Sequence, residues 1–392
     1  MLRVAAVIAE YNPFHIGHAY LLEQTRKQGG AQAVVCIMSG SFMQRGEVAL
    51  LDKWRRARLA LCGGADLVVE LPFVYAVSPA EYFALGGVWL AKRMGCVDLL
   101  AFGSECGELQ QLREAARALL DAPPGSLKER MKTGCSYPQA AAHIAGAAAG
   151  SPNNLLGITY LMALEKLHCH IQPFTVPRTG AGHHDTRVQG FMSAAGIRRA
   201  LREETLQSDQ VPAQTYAMLM QAKQRGDWSD MRQLDRVLLG LLRRDGVHED
   251  GAYLSEGLEN RIMWAARDCS NAEELIQRVK TKRYPYTRIT RTLVHVLMGT
   301  TAAQVQEALY RGPGYIRVLG FNQTGKALLR TMKQTAQVPI VVKRAAQQHL
   351  NSYAREQLQM DARAQDFLAL ARVSDKTIAG GEDYTTSPVV LN

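Results

Sequence analysis

Apolar runs of strand length alternate with amphipathic stretches through the first half of the chain. Val4–Ala9, Val34–Met38, Leu67–Leu71 and Leu99–Phe102 are largely apolar, and each gives way to turn chemistry: Tyr11-Asn12-Pro13, Ser39-Gly40-Ser41, Pro72 and Gly103-Ser104. Strands apolar on both faces belong to a parallel sheet covered by helices. Helical spacing falls between them, at about residues 17–28, 53–63, 80–94 and 107–120. A fifth strand is expected at Gln172–Val176, stopped by Pro177, and a helix from about Ser193 to Glu204. The Ala-rich piece Gln139–Gly150 favours helix, and Asp121–Gly125 reads as a loop. After about residue 205 helical periodicity dominates, and 312–345 returns to mixed structure. The tail from Gly380 is polar and expected to be loose, with only Val389–Leu391 apolar enough to pack. The pattern predicts an α/β parallel-sheet domain over 1–205 and a mainly helical unit over 206–392.

Composition narrows the classes. The chain has 392 residues, 47% hydrophobic and 21% charged, a globular balance that excludes wholesale disorder. No apolar run reaches bilayer length, so no membrane role is expected. The start reads as a strand and not as a secretory signal. Seven scattered cysteines without a Cys-x-x-Cys pair argue for a reducing, cytoplasmic setting and against a disulfide framework or zinc cluster.

Net charge is +10, but it is concentrated. Between Arg278 and Arg344 there are 13 basic residues and one acid, Glu307, while the remainder is close to neutral. So one-sided a stretch suits a polyanion, because each phosphate neutralised releases condensed counterions. Lys280, Lys282, Arg283, Arg288 and Arg291 lie among Tyr284 and Tyr286, with Tyr310 and Tyr315 further on. Cations would hold a backbone while aromatics stack on unpaired bases, which is the mode expected for RNA. A second patch, Lys53–Arg58, adds Arg55 and Arg56 as RNA contacts; its alternative is a helix face with Trp54 packed inward.

Candidate chemistry sits just past the first strand, at Glu10-Tyr11-Asn12-Pro13-Phe14-His15-Ile16-Gly17-His18. Ligands of open α/β sheets lie beyond the carboxyl ends of strands, and a helix N-terminus offers free N–H groups to phosphate. Gly17 lets backbone approach a ligand. His15 and His18 can donate hydrogen bonds to phosphate oxygens whose charge grows during displacement, so they are the expected catalytic pair. Paired histidines also occur as metal ligands or satisfied core residues; the strand, the Asn-Pro turn and the helix-forming Ala19–Gln24 favour a nucleotide.

These residues resemble the HxGH signature of the nucleotidyltransferase superfamily. Further blocks resemble the bacterial tRNA(Met) cytidine acetate ligases: MSGSFMQRGEVALLDKWRRARLAL (38–61), GADLVVELP (64–72), FGSE (102–105), PNNLLGITYL (152–161), RTGAGHHD (178–185) and RVLGFNQTGKALL (317–329). The resemblance implies a Rossmann-like, HUP-type nucleotidyltransferase domain followed by a basic tRNA-binding region. It implies a two-step reaction: ATP and acetate give acetyl-adenylate and pyrophosphate, and the acetyl group then passes to N4 of the wobble cytidine in the anticodon loop of elongator tRNA(Met). ATP would be accompanied by Mg²⁺. The ATP site implied comprises Ile8, Ala9, Glu10, Tyr11, Asn12, Pro13, Phe14, Gly17 and Leu21, with Gly103, Asn154, Arg178 and Ser193. Asn153 is an alternative to Asn154, and a helix cap competes as the role of either.

Two departures stand out. Where the superfamily commonly has an Ile-Ser-Ser-Thr-x-x-Arg-like helix start, this chain reads Met192-Ser193-Ala194-Ala195-Gly196-Ile197-Arg198, so Ala195 lacks a hydroxyl. There is also no Lys-Met-Ser-Lys-Ser-like loop. His183-His184-Asp185 suggests a metal site, but no third ligand cluster accompanies it and none is expected. Two other readings stay open: a small-molecule adenylyltransferase, and a non-catalytic RNA-binding module. Oligomeric state is not encoded legibly.

Overall fold

A computed structural model describes residues 2–132, 137–178 and 191–392. Its centre is an eight-stranded sheet: β1 (Val4–Ala9), β2 (Ala33–Ser39), β3 (Leu67–Leu71), β4 (Leu99–Ser104), β5 (Gln172–Pro177), β6 (Ile316–Phe321), β7 (Ile340–Val341) and β8 (Val389–Val390). The spatial order is β5-β4-β1-β2-β3-β6-β7, with β8 beside β6. β1 to β5 run parallel, as the two-sided apolar character of β1 to β4 predicts, and in register β1 sets Ala9 against Met38. From β1 the chain winds outward through β2 and β3, then returns to place β4 on the other side of β1. The topological switch point therefore lies between β1 and β4, which is where an open α/β sheet binds its ligand.

Alternation along the strands feeds two cores. Val4, Ala6, Ile8, Val35, Ile37 and Val69 face the helices Ala80–Met94 and Pro152–Lys166. Ala5, Val7, Cys36, Met38 and Val68 face the helices Ile16–Lys27, Lys53–Cys62, Ala194–Arg202 and Ala213–Arg225. The first core continues without a break into the helical region, through Leu238, Leu275, Ile289 and Leu293.

The expected boundary at residue 205 does not divide the sheet. β6 returns from the helical half to pair antiparallel with β3, Val69 opposite Val318, and β7 and β8 complete that edge. The tail is also not loose. Asp383 is buried and its carboxylate meets the Lys53 ammonium at 2.6 Å, while Val389 and Val390 pair with Gly320 and Phe321. A buried lysine requires a carboxylate, and the tail supplies it.

Candidate functional site

The expected strand-to-helix junction is at the switch point. Past Ala9 the chain turns through Tyr11, whose φ is +50°, and a cis Asn12–Pro13 bond into the helix Ile16–Lys27, with His15 at its N-cap. Anchors from both sides hold this turn. Tyr11 and Phe14 are buried, their rings 5.0 Å apart edge to face, and the Tyr11 hydroxyl meets the Cys36 thiol at 3.2 Å. Ile8 packs on Gly87, where a Cβ would come within 2.6 Å. Ile8, Tyr11 and Phe14 thus spend their side chains on the core, leaving only main chain for a ligand. Asn12 Oδ1 accepts from the Leu50 N–H at 2.7 Å, and Arg198 donates to the Asn12 carbonyl at 2.9 Å while pairing with Glu47. The Glu10 carboxylate accepts from the Gln44 N–H at 2.6 Å. Burial is the main force raising the affinity of Glu10 for its proton, and Glu47 adds to it.

The two imidazoles stack, centroids 3.6 Å apart and planes 19° from parallel. His15 is only 7% exposed. The His15 N–H donates to His18 Nδ1 at 3.2 Å, so a neutral His18 carries its proton on Nε2. Burial, then the Arg178 charge, pushes His15 down to about 4; burial, then His15 and Arg178, holds His18 well below its ordinary range. Both rings are neutral at physiological pH, so they act as hydrogen-bonding dipoles. Gly17 leaves room for the stacked rings, since a Cβ would sit 3.1 Å from His15 Cε1 and press on that ring.

Two buried polar atoms of this turn, His15 Nδ1 and Asn12 Nδ2, have no hydrogen-bond partner among the described residues. Unpaired buried polar atoms cost about 1–3 kcal/mol each, and an anion at the helix N-terminus would supply the missing partner to a protonated nitrogen. The residues present therefore fit a phosphate group.

The β4 end closes the other side. Glu105 accepts from the N–H groups of Asn153 and Asn154 at 3.1 and 2.7 Å, and Asn154 Oδ1 accepts from the N–H groups of Glu105 and Cys106 at 2.8 and 3.2 Å. This reciprocal lock caps the helix Pro152–Lys166. Asn154 Oδ1, the oxygen expected to reach nucleotide, is thus spent on the scaffold. Arg178 donates to Asn153 Oδ1 at 3.2 Å and stays exposed beside Gly103, where a Cβ would lie 3.3 Å from Arg178 Cγ. Ser193 caps the next helix by accepting from the Gly196 N–H at 3.1 Å. His183, His184 and Asp185 lie outside the described residues.

The second basic patch is corrected. Arg56 is 0% exposed and its guanidinium donates to the carbonyls of Glu10, Ser39, Gly40 and Leu51, tying the ends of β1 and β2 together. Arg55 forks onto Asp227 and also meets Asp52. Both are structural, because this helix buries a face on the sheet and draws acids from distant segments; Trp54 does pack inward. In the long basic stretch Lys280, Lys282 and Arg283 are exposed, whereas Arg288 and Arg291 are half-buried. Glu256 meets both Arg283 and Arg288, at 3.2 and 3.3 Å. Tyr284 and Tyr315 are buried and so cannot stack on bases; Tyr310 is 86% exposed. Sequence reasoning missed Gln44, Glu47 and Glu105, although each lies in or beside a quoted block; their role depends on contacts across the sheet.

A mostly parallel sheet carrying paired histidines at its switch point is the architecture of a nucleotidyl transferase. The HIGH Nucleotidyl Transferase family model matches residues 2–382. The tRNA(Met) cytidine acetate ligase of Syntrophomonas wolfei is 38% identical over 99% of both chains, and that of Caldanaerobacter subterraneus is 39% identical over 87% of this chain and 89% of its own. The crystal structure of Thermotoga maritima TmcAL bound with alpha-thio ATP matches with a TM-score of 0.91 and 30% identity, covering 99% of each chain. The chain belongs to the tRNA(Met) cytidine acetate ligase family of HIGH nucleotidyl transferases.

Proposed function

We propose that the protein is an ATP-dependent ligase that acetylates N4 of the wobble cytidine of elongator tRNA(Met). The observation that carries this reading is the pair of stacked neutral histidines beside unpartnered buried atoms at the switch point, in a chain alike over its length to named ligases. In the first step an acetate oxygen attacks the α-phosphorus of ATP, and the bond to pyrophosphate breaks. Acetate is already ionised and needs no base. His15 and His18 donate to phosphate oxygens as charge builds on them, a contribution of about 10²–10³ in rate per donor. Charge on the departing pyrophosphate would be offset by Mg²⁺ carried on the triphosphate; among the described residues no three His, Cys, Asp or Glu lie together as a metal cluster. In the second step the cytidine amine attacks the acetyl carbonyl, AMP leaves, and the amine gives up one proton. A wobble base lies in a single-stranded loop, so it enters the crevice with little unpairing. Lys280, Lys282, Arg283, Arg288 and Arg291 would carry the anticodon stem-loop. Among the described residues no helix is long and apolar enough to cross a membrane; a cytoplasmic setting agrees with tRNA as substrate.

The test is pyrophosphate exchange. With ATP, acetate and labelled pyrophosphate the protein should exchange label into ATP only when acetate is present, and should transfer labelled acetyl to tRNA(Met). Exchange dependent on a different acceptor would mark a small-molecule adenylyltransferase, and absence of any exchange a non-catalytic RNA-binding module.

A further inference from the structure

The turn between β2 and the helix Lys53–Cys62 carries a guanidinium that the reading above does not use. Phe42 and Val48 bridge, and Gly46, with φ +78°, makes the bend. That bend is pressed onto the helix Tyr286–Met298: a Cβ at Gly46 would meet the Thr290 carbonyl carbon at 2.5 Å, and the Thr290 hydroxyl donates to the Arg45 carbonyl at 2.5 Å. Arg45, exposed, and Arg291, half-buried, are thereby brought to the same place from opposite halves of the chain. Burial, opposed by the Tyr253 phenol and reinforced by Arg288 and Arg45, lowers Arg291 to about 10.

Among the described residues neither the Arg45 nor the Arg291 side chain meets a carboxylate. Their neighbours do: Arg198 takes Glu47, and Arg283 and Arg288 share Glu256. A partly desolvated guanidinium without a carboxylate partner is a natural seat for an anion brought by a ligand. The place is also catalytic in its connections. Gln44, next to Arg45, donates its N–H to the Glu10 carboxylate, and Glu47 holds the Arg198 that braces Asn12.

We propose that Arg45 and Arg291 form a phosphate clamp at the rim of the catalytic crevice, holding an RNA phosphodiester next to the nucleotide to be acetylated. The clamp is continuous along the chain with Lys280, Lys282 and Arg283, whereas a triphosphate already finds the histidines and the helix N-terminus. This rests on the proposed tRNA reaction. Two guanidinium groups present forked donors suited to a tetrahedral anion.

The test uses the full-length protein and tRNA(Met), with Arg45→Gln, Arg291→Gln and Arg291→Lys. Arg45→Gln and Arg291→Gln should each weaken tRNA binding about tenfold and reduce the slope of log affinity against log salt by about 0.7, the loss of one single-strand phosphate contact. Arg291→Lys should keep the slope and lose only part of the affinity. The KM for ATP in acetate-dependent exchange should move less than twofold in Arg45→Gln. A rise in that KM with tRNA affinity unchanged would assign the anion to the triphosphate and overturn the clamp; so would unchanged affinity and slope in both Gln variants. If the unaltered protein neither exchanges nor binds tRNA, the fault lies with the proposed function itself.

Discussion

Two groups of buried polar side chains lie at the same edge of one sheet and are treated in opposite ways. Around Lys53, which is 0% exposed, partners are abundant: Glu70 meets its ammonium with both oxygens at 2.8 Å, Asp383 at 2.6 Å, and Asp361 accepts from Tyr315 and from the Phe73 N–H. Burial, with Glu70 nearby, pushes Asp361 well up toward its neutral form, so Glu70 and Asp383 balance Lys53 and Arg317. Among the described residues of this group, Arg317 Nε and Nη1 are left without a partner. At the histidine turn His15 Nδ1 and Asn12 Nδ2 are buried without a partner among the described residues. Buried polar groups are normally paired, so the first group reads as fold and the second as a place awaiting ligand. One group holds the tail to the sheet; the other is the proposed phosphate site.

Mutations should separate the two. Lys53→Met leaves buried carboxylates without their cation and should cost about 3–5 kcal/mol of stability in urea denaturation; a loss below 1 kcal/mol would mean the network is not what fastens the tail. His18→Ala should lower acetate-dependent exchange by about 10²–10³, while its stability cost, from the lost His15 stacking and the His15 N–H left unpaired, should be about 1–3 kcal/mol and below that of Lys53→Met. Near-normal exchange would remove His18 from the chemistry.

A smaller effect concerns a histidine that does have a partner. His295 is fully buried with Nε2 2.7 Å from the Val77 carbonyl, and burial lowers it to about 4. Below about 6.5 the unfolded chain takes up a proton that the folded ring refuses, so stability present above 6.5 is lost as pH falls toward 4. Between pH 7 and pH 5 the protein should lose about 2 kcal/mol more than His295→Gln does; equal losses in the two would contradict a neutral core ring. Smallest is Arg283→Ala. Because Glu256 already partly neutralises this exposed arginine, tRNA affinity should drop only a few-fold, with a salt slope reduced by at most about 0.7.

Much of the sheet was legible because β1 to β4 are largely apolar on both faces, and the ends of β1 and β3 fall where the apolar runs stop. The turn that carries His15 and His18 was legible for the same reason: its position follows from the strand before it and the helix after it. The return of β6 was hidden, since Arg317 near its start reads as surface charge until Asp383 is seen beside it. Lys53, Arg55 and Arg56 misled in the same way. A cation reveals whether it is buried only through its acid, and here the acids, Asp227 and Asp383, come from remote segments. Tyr284 and Tyr315 were read as stacking platforms because spacing does not show which way a ring turns.

A crystal structure with a nonhydrolysable ATP analogue tests the central claim most directly. Phosphate oxygens should lie within hydrogen-bond reach of His15 Nδ1 and His18 Nε2, between the ends of β1 and β4. A triphosphate bound elsewhere, with His15 Nδ1 still unpaired, would contradict the account.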